Sequence, residues 1–478
     1  MIHTVTQKKI FIETFGCQMN EYDSEIIRSI LTKANYAFVK DESDADIIML
    51  NTCAIRENAH RKIYGRIHDI RNNRRKRLNL PKRHAGHNPD DSTLSNVGAP
   101  TSIENRKRRS EPLIGILGCM ATNLRTDLLE NRSLKIDFIA GPDSYKRLPQ
   151  LIRESCEEGD KPFDLTLSEF ETYSDVYPAR VKGVNAWLAV MRGCNNFCTF
   201  CVVPYTRGRE RSRSPENILE EVRRLAKEGF RQVTLLGQNV NSYRFENHDF
   251  AYLLERVSEV KSIKRIRFTS PHPKDFPDNL LRVVAQNPKV CKHIHLPLQS
   301  GNDRILNLMD RIYTVKEYHK LVEKIRALNP AISLTTDIIV GFPTETEAEF
   351  TDTLNVVRQV GYDAAFTFKY SERKGTIAEK KYPDDIPDDV KTGRLMRLID
   401  LQRAISLERN RQLIGQTLEV LIEEDSSPKS PDDFQARSDD NRIVIFPRSA
   451  HKKGDFLKVK ITSASASVLK GEAVSAAV

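Results

Sequence analysis

The chain has 478 residues, of which 29% are charged and 39% are hydrophobic, and its formal net charge is +10. This length exceeds one hydrophobic core and predicts about two to four domains. No stretch approaches the roughly 18 consecutive apolar residues of a membrane span, which argues against a helical membrane protein. The first residues lack the apolar core of a signal peptide, so we expect a cytoplasmic protein whose eight cysteines are reduced. The positive charge favours an anionic partner such as RNA.

The first segment, residues 1–150, shows three short apolar runs at 9–14, 46–50 and 113–117, which predict strands of a sheet buried on both faces. Cys17, Cys53 and Cys119 each follow one of these runs. Because the carboxyl ends of parallel strands share one edge of a sheet, the three thiols are expected to meet there and to hold an iron–sulfur cluster. The alternative is that they are ordinary small core residues.

A polar stretch at residues 72–109 lies inside this segment and has basic runs at both ends, 74–77 and 106–109. Its Gly, Pro, Asn, Asp and Ser content predicts a disordered basic surface loop. Capture of RNA phosphates and a tolerated solvated insertion both remain open as its role.

The second segment, residues 185–405, alternates strand and helix patterns. The predicted strands are 187–190, 232–237, 265–270, 293–298, 333–342 and 364–370. Ser214 and Pro215 mark the start of one intervening helix as N-cap and first residue. Six β/α repeats predict a partial parallel (β/α)6 barrel with its active site at the carboxyl ends of the strands.

Cys194, Cys198 and Cys201 follow the first strand of this barrel in a C-x3-C-x2-C pattern. Three closely spaced thiolates can hold three irons of a 4Fe-4S cluster and leave the fourth iron open, whereas electron-transfer clusters usually have four cysteine ligands. A zinc knuckle is the alternative, but it normally shows paired C-x2-C units or a nearby histidine. The pattern therefore favours a cluster that binds a substrate or cofactor.

Other side chains in the barrel have two interpretations. The last strand carries three aromatic residues that are predicted to be core, with stacking on a nucleobase as the alternative. Four arginines after the cysteine loop either hold phosphates or form a solvated face. His293 and His295 share a strand face and are predicted to be barrel-interior or near-site residues rather than metal ligands. The aromatic residues and the arginines are Phe366, Phe368, Tyr370, Arg207, Arg209, Arg211 and Arg213.

The last segment, residues 410–475, shows strand patterns at 417–422, 442–446 and 456–461, with a Pro/Ser/Asp-rich loop at 426–433. These patterns predict a small antiparallel β-barrel. Such barrels often bind nucleic acid, and a packing module without a ligand is the alternative.

Together these parts resemble the radical S-adenosylmethionine (SAM) methylthiotransferase family, and four motifs are similar to its MiaB-type tRNA enzymes. The motifs are NTCAIRENA at 51–59, GQNVNSY at 237–243, LPLQSG at 296–301 and DIIVGFP at 337–343. The resemblance implies an α/β fold with an N-terminal open-sheet domain, a radical SAM partial barrel and a C-terminal TRAM barrel. It also implies addition of a methylthio group to carbon 2 of N6-isopentenyladenosine at position 37, next to the anticodon in tRNA.

By the same resemblance, the cofactors are two 4Fe-4S clusters and SAM. The cluster on Cys194, Cys198 and Cys201 then generates the radical from SAM, while the cluster on Cys17, Cys53 and Cys119 supplies sulfur. The partners are the anticodon stem-loop of tRNA and an electron donor such as a flavodoxin-type protein. Polar residues and glycines at the same barrel edge are predicted to contact SAM: Gly237, Gln238, Asn239, Ser270, Gln299 and Ser300.

Two alternative hypotheses assume the same chemistry on a different substrate, either threonylcarbamoyladenosine in tRNA or an aspartate of a ribosomal protein. The sequence around Cys53 favours the isopentenyladenosine type, and the basic balance favours RNA over protein. A reading from another class is a non-catalytic iron–sulfur protein that binds RNA or senses redox state. It requires full cysteine ligation of each cluster, whereas each trio leaves one iron free.

Overall fold

The computed structural model describes residues 7–54, 57–77, 112–131, 134–157, 161–180 and 183–474. The chain forms two compact units, one made of residues 1–16 and 30–165 and the other of 17–29 and 166–478. Helix α1, Gln18–Lys33, begins in the second unit and ends in the first. Among the described residues, no helix is both long enough and apolar enough to cross a membrane.

The first unit is built on a six-stranded sheet of order β2-β1-β3-β4-β5-β6, in which every pair is parallel. The central strands β3 and β4 are buried along their whole length, as expected for a sheet that is covered on both faces. This confirms the predicted open α/β sheet. The strands are β1 Lys9–Phe15, β2 Ala37–Phe38, β3 Ile47–Thr52, β4 Leu113–Gly118, β5 Phe138–Ala140 and β6 Phe163–Asp164; the helices after α1 are α2 Glu57–Arg77, α3 Cys119–Asn123, α4 Arg125–Glu130 and α5 Leu148–Glu157.

The predicted basic loop at 72–109 is wrong at its start. Residues 72–77, including the first basic run, belong to helix α2, which ends at Arg77. Lys and Arg are good helix formers, so a basic run can extend a helix rather than end it. The rest of the prediction, residues 78–109, lies outside the described residues.

The second unit contains six parallel strands in two groups, β13-β10-β7 and β14-β15-β16. A parallel bridge between Ile266 of β13 and Val290, which shortly precedes β14, connects the two groups. All six predicted strands are present, which confirms the partial barrel. The six parallel strands are β7 Asn185–Ala189, β10 Gln232–Leu236, β13 Arg265–Phe268, β14 His293–His295, β15 Ser333–Val340 and β16 Ala364–Lys369. Four short strands form two antiparallel pairs beside them: β8 Met191–Arg192 with β9 Arg211–Ser212, and β11 Arg244–Phe245 with β12 His248–Asp249.

Helices between these strands bury apolar faces against the sheet. In α7, the Ser214 side chain accepts a hydrogen bond from the Asn217 backbone N–H, and Pro215 begins the helix, as the sequence predicts. The helices are α6 Val203–Arg207, α7 Pro215–Lys227, α8 Phe250–Ser258, α9 Asp278–Gln286, α10 Asp303–Leu308, α11 Val315–Leu328, α12 Glu347–Val360, α13 Ile377–Lys381 and α14 Asp388–Arg411.

The C-terminal part is a closed five-stranded barrel of order β17-β18-β19-β21-β20. Neighbouring strands pair antiparallel except β19 and β21, which pair in parallel. The sequence patterns miss β18 and β21, because both contain residue types that are depleted in strands: Asp433 and Ala436 in β18, and Lys470, Gly471, Glu472 and Ala473 in β21. The strands are β17 Thr417–Glu424, β18 Asp433–Ser438, β19 Ile443–Pro447, β20 Phe456–Ala464 and β21 Leu469–Ala473.

A turn of this barrel, residues 438–442, lies against the amino ends of the strands of the partial parallel barrel. Arg267 donates a 2.6 Å hydrogen bond to the carbonyl of Ser438, and Ser333 Oγ donates a 2.7 Å bond to the carbonyl of Asp440. The Asp439 carboxylate accepts from the Lys292 backbone N–H at 3.0 Å. The C-x3-C-x2-C loop begins at the opposite end of the barrel, where the carboxyl ends of the strands lie.

Candidate active site

The C-x3-C-x2-C loop leaves the carboxyl end of β7 through β8 and ends before α6. The Cys194 backbone N–H donates to the Gly208 carbonyl at 3.1 Å, and that of Cys201 donates to the Cys198 carbonyl at 2.9 Å. Gly193 has φ +81°, and a Cβ there would lie 1.9 Å from the carbonyl oxygen of Arg209. Only glycine fits this position, so the backbone fixes the direction in which Cys194 enters the loop.

The three thiols of this loop suit a metal cluster. All are free, and Cys194 and Cys198 are each only 7% exposed. Burial raises the pKa of Cys194 to about 12 and also raises that of Cys201, so binding a metal here must release protons. Within the described ranges, no three His, Cys, Asp or Glu side chains converge on a single metal ion. A 4Fe-4S cluster uses a different iron for each thiolate and does not require that convergence.

Arg311 also belongs to this site, although the sequence gives no signal for it. Its guanidinium donates a hydrogen bond to Cys198 Sγ at 3.3 Å and another to the Pro297 carbonyl at 3.2 Å. Its Nε donates to the Tyr313 hydroxyl at 3.1 Å. The loop that follows α10 thus reaches the cysteine loop that follows β7.

The segment after β10 holds three of the predicted SAM contacts. A Cβ on Gly237 would lie 2.7 Å from Met191 Cγ, so glycine allows this loop to pack against β8. Asn239 is buried and donates from Nδ2 to the Asp275 carboxylate at 2.9 Å. In the described part of the chain, Gln238 Oε1 and Asn239 Oδ1 are buried without hydrogen-bond partners. These two amide oxygens are available to accept from a ligand.

The other three predicted contacts differ in their surroundings. Ser270 is exposed just beyond β13, with φ +60°. Gln299 has φ +70° and extends the pairing with β15, because its N–H donates to the Asp337 carbonyl at 2.8 Å. Ser300 is fully buried, and its Oγ lies 3.5 Å from the Thr353 hydroxyl of α12, which gives it a packing contact inside the protein.

One face of the β14-β15-β16 sheet carries a polar and aromatic group. The Thr335 hydroxyl lies 2.9 Å from His293 Nε2 and 3.0 Å from His295 Nδ1, and His295 Nε2 lies 3.3 Å from the Asp337 carboxylate. The Phe366 ring meets the His295 ring edge-on, with centroids 5.8 Å apart. The two histidines therefore share one strand face, as predicted, and both are partly buried.

The core prediction for the aromatic residues of β16 is wrong for two of the three. Phe366 is 58% exposed and Phe368 is 44% exposed, whereas Tyr370 is buried. The register pairs Asp337 with Phe366 and Ile339 with Phe368, so both rings lie on the face that carries Asp337. At these positions that face is exposed rather than packed in a core, and strand periodicity alone does not separate the two cases.

Both interpretations of the arginines after the cysteine loop are wrong for three of the four. Arg207, Arg211 and Arg213 are buried and bound to protein groups. Arg207 donates to the Asp23 carboxylate at 2.8 Å, and Asp23 also accepts from Arg192 at 2.8 Å. Further hydrogen bonds run from Arg211 to the Arg207 carbonyl and from Arg213 to Glu221 and to the Ala189 carbonyl. Only Arg209 is exposed, with its guanidinium 4.4 Å from the centre of the Phe197 ring.

In the first unit, β1, β3 and β4 are adjacent and end in register. Phe15 pairs with Thr52, and Thr52 pairs with Gly118. Cys53 and Cys119 come immediately after these paired positions and are 1% and 3% exposed. Cys17 follows the end of β1 by two residues. Each of the three cysteines therefore lies directly after, or two residues after, the end of one of these adjacent strands, as the sequence predicts.

Family models match three parts of the chain. Residues 9–81 match the uncharacterized protein family UPF0004, residues 188–357 the radical SAM superfamily and residues 411–474 the TRAM domain. A tRNA-2-methylthio-N(6)-dimethylallyladenosine synthase from Chloroherpeton thalassium is 46% identical over 475 residues, which cover 99% of this chain and 98% of that protein. The chain belongs to this synthase family. A relative of the same name from Phocaeicola vulgatus is 45% identical over 476 residues and covers 98% of this chain and 96% of its own length.

Family membership confirms the resemblance drawn from the sequence, including the prediction of an enzyme. The radical SAM domain implies an iron–sulfur cluster and SAM as cofactors. Among solved structures, the radical SAM methyltransferase TsrM from Kitasatospora setae, with cobalamin and a 4Fe-4S cluster bound, has a TM-score of 0.53. It is 12% identical and the match covers 78% of this chain and 74% of that one, so the likeness shows the fold alone.

Proposed function

We propose that this protein adds a methylthio group to carbon 2 of N6-isopentenyladenosine at position 37 of tRNA. The single observation that carries the proposal is the near-full-length identity to synthases of that name. The C-x3-C-x2-C loop at the carboxyl end of β7 agrees with it, since parallel barrels place their active sites at that end.

The proposed cofactors are SAM and two 4Fe-4S clusters, one on Cys194, Cys198 and Cys201 and the other on Cys17, Cys53 and Cys119. The burial of Cys194 and Cys198 and the glycine-only turn before them support the first cluster. The in-register ends of β1, β3 and β4 support the second. When bound, these groups supply a radical that removes an unactivated hydrogen and a sulfur that replaces it, which side chains alone do not provide.

The protein's own residues then bind and orient the reactants. We assign SAM contacts to Gly237, Gln238, Asn239, Ser270, Gln299 and Ser300, and the unpartnered amide oxygens of Gln238 and Asn239 support that assignment best. The exposed rings of Phe366 and Phe368 are suited to stack on a base that has left its RNA stack. The turn at 438–442 lies against the amino ends of the strands, so we assign entry of the base to the carboxyl end.

The proposed domain roles follow the segments of the sequence. Residues 1–150 hold the auxiliary cluster, 185–405 form the radical SAM barrel and 410–475 bind the tRNA anticodon stem-loop as a TRAM barrel. The electron for SAM cleavage comes from a low-potential donor of the flavodoxin type. We expect these reactions to take place in the cytoplasm.

The test uses anaerobically reconstituted full-length protein, SAM and a chemical reductant with an isopentenylated anticodon stem-loop. Mass spectrometry should then detect the 2-methylthio product. The matched control is the same RNA without the isopentenyl group, on which we expect no product. Product only on a threonylcarbamoyl stem-loop or on a ribosomal-protein aspartate would contradict the proposed substrate but keep the chemistry. SAM binding without cleavage would contradict the whole proposal.

A further inference from the structure

Arg311 is a buried cation without a carboxylate partner among the described residues. The residue is 7% exposed, and its hydrogen bonds go to Cys198 Sγ, the Pro297 carbonyl and the Tyr313 hydroxyl. A buried guanidinium surrounded by neutral oxygens is costly unless an anion lies nearby. Of these three partners, the sulfur of Cys198 is the one that carries negative charge when it binds iron.

The contact is fixed from both sides by backbone hydrogen bonds. The Arg311 N–H donates to the Leu306 carbonyl at 2.9 Å, which anchors it to α10. On the other side, the Thr199 N–H donates to the Met309 carbonyl at 3.0 Å, and its hydroxyl donates to the Leu308 carbonyl at 2.8 Å. The loop that carries Cys198 and the loop that carries Arg311 are therefore held together independently of the Arg311 side chain.

The Tyr313 hydroxyl limits the guanidinium to one orientation. Its oxygen accepts from Arg311 Nε, and its single hydrogen faces the carbonyl oxygens of Pro297 and Leu298, which lie 3.0 Å and 2.8 Å away. These carbonyls belong to the segment that leads into Gln299. With Nε and one terminal nitrogen engaged, the other terminal nitrogen is directed at Cys198.

We propose that Arg311 is a positioning residue that raises the reduction potential of the cluster on Cys194, Cys198 and Cys201 through its N–H···S hydrogen bond to Cys198. The proposal rests on the proposed first cluster. Accepting one electron makes a cluster more negative, and a cationic donor to a ligand sulfur stabilises the more negative state. Arg311 thereby makes the cluster easier to reduce by a one-electron donor of the flavodoxin class.

The test measures the cluster potential in full-length protein in which Cys17, Cys53 and Cys119 are changed to Ala, so that only the first cluster is observed. Arg311→Gln removes the charge and Arg311→Lys keeps it without the planar donor geometry. The matched control is Arg304→Gln, at an arginine that is half-exposed and bound to Glu349. Iron per chain is measured first, and the reduced cluster is then followed by electron paramagnetic resonance during a titration with dithionite and mediators.

We expect Arg311→Gln to retain iron and to show about a tenfold lower ratio of reduced to oxidised cluster at a fixed potential, which is ~59 mV for one electron. Arg311→Lys should fall between it and the parent, and Arg304→Gln should match the parent. An unchanged midpoint in Arg311→Gln with full iron would overturn the proposal. Loss of iron from both Arg311 variants would also overturn it, because Arg311 would then be a support of the loop. Absence of iron in the parent would instead refute the proposed cluster.

Discussion

The buried ion network next to the cysteine loop provides a stability prediction. The Glu221 carboxylate on α7 accepts from Arg213 at 2.6 Å and also from Arg180, and the side chains of all three are at most 4% exposed. Burial alone raises the pKa of Glu221, but Arg213 and Arg180 more than offset it and leave that pKa below its ordinary value. Arg213 also donates to the Ala189 carbonyl at the end of β7. The network therefore supports the strand from which the cysteine loop starts.

Glu221→Gln leaves these two guanidinium groups with less negative charge in the interior. Breaking a buried pair from one side costs about 3–5 kcal/mol. The control Glu259→Gln breaks a pair with Arg256 that is more than one-third exposed on both sides, and such pairs contribute about 0–1 kcal/mol. The assay is guanidinium denaturation of each variant, followed by circular dichroism.

A loss of stability in Glu221→Gln several times larger than in Glu259→Gln would support this reasoning. The same midpoint in both variants would refute it, since burial of the pair would then have no energetic consequence. A midpoint above the parent would refute it more strongly.

Three further predictions follow from single contacts. Changing Phe366 and Phe368 to Ala should lower kcat/KM for the isopentenylated stem-loop, by an amount that corresponds to a loss of about 1–3 kcal/mol of binding free energy per stacked ring. SAM cleavage without RNA should stay unchanged, and equal losses in both assays would contradict stacking. Burial, with the charges of Arg311 and Lys274, lowers the pKa of His272 to about 2, so only the unfolded chain gains a proton below pH ~6.5. Stability should therefore fall by about 1.4 kcal/mol from this group by pH 5.5, and His272→Gln should remove that part of the slope in denaturation midpoints at pH 7.5 and 5.5; an unchanged slope would contradict it. Gly193→Ala should lose most iron of the first cluster, because its Cβ would meet a backbone oxygen at 1.9 Å; full iron loading would contradict this.

Local sequence patterns were sufficient where the structure depends on near neighbours. Apolar runs bounded by turn residues located β1, β3 and β4 of the first sheet and the six parallel strands of the partial barrel, but not the short strands β2, β5 and β6. The spacing of Cys194, Cys198 and Cys201 located the loop that follows β7. The N-cap at Ser214 was equally local. These features require only residues within a few positions of one another.

Features that depend on distant contacts were missed. Cys198 and Arg311 are 113 residues apart in the chain, and nothing near either residue indicates their hydrogen bond. The exposure of Phe366 depends on whether the barrel face is filled, which alternation along β16 does not encode. The burial of Arg213 depends on Glu221 from α7, so a basic run that suggests a solvated face is in fact inside the protein.

The central claim is that one chain carries two clusters on two cysteine trios, and iron counting tests it most directly. The measurement compares the anaerobically reconstituted parent with two variants, in each of which one trio is changed to Ala. About eight irons per chain in the parent and about four in each variant would support the account, since each cluster holds four irons. About four irons in the parent, all lost when Cys194, Cys198 and Cys201 are changed, would contradict a cluster on Cys17, Cys53 and Cys119 and with it the proposed source of sulfur.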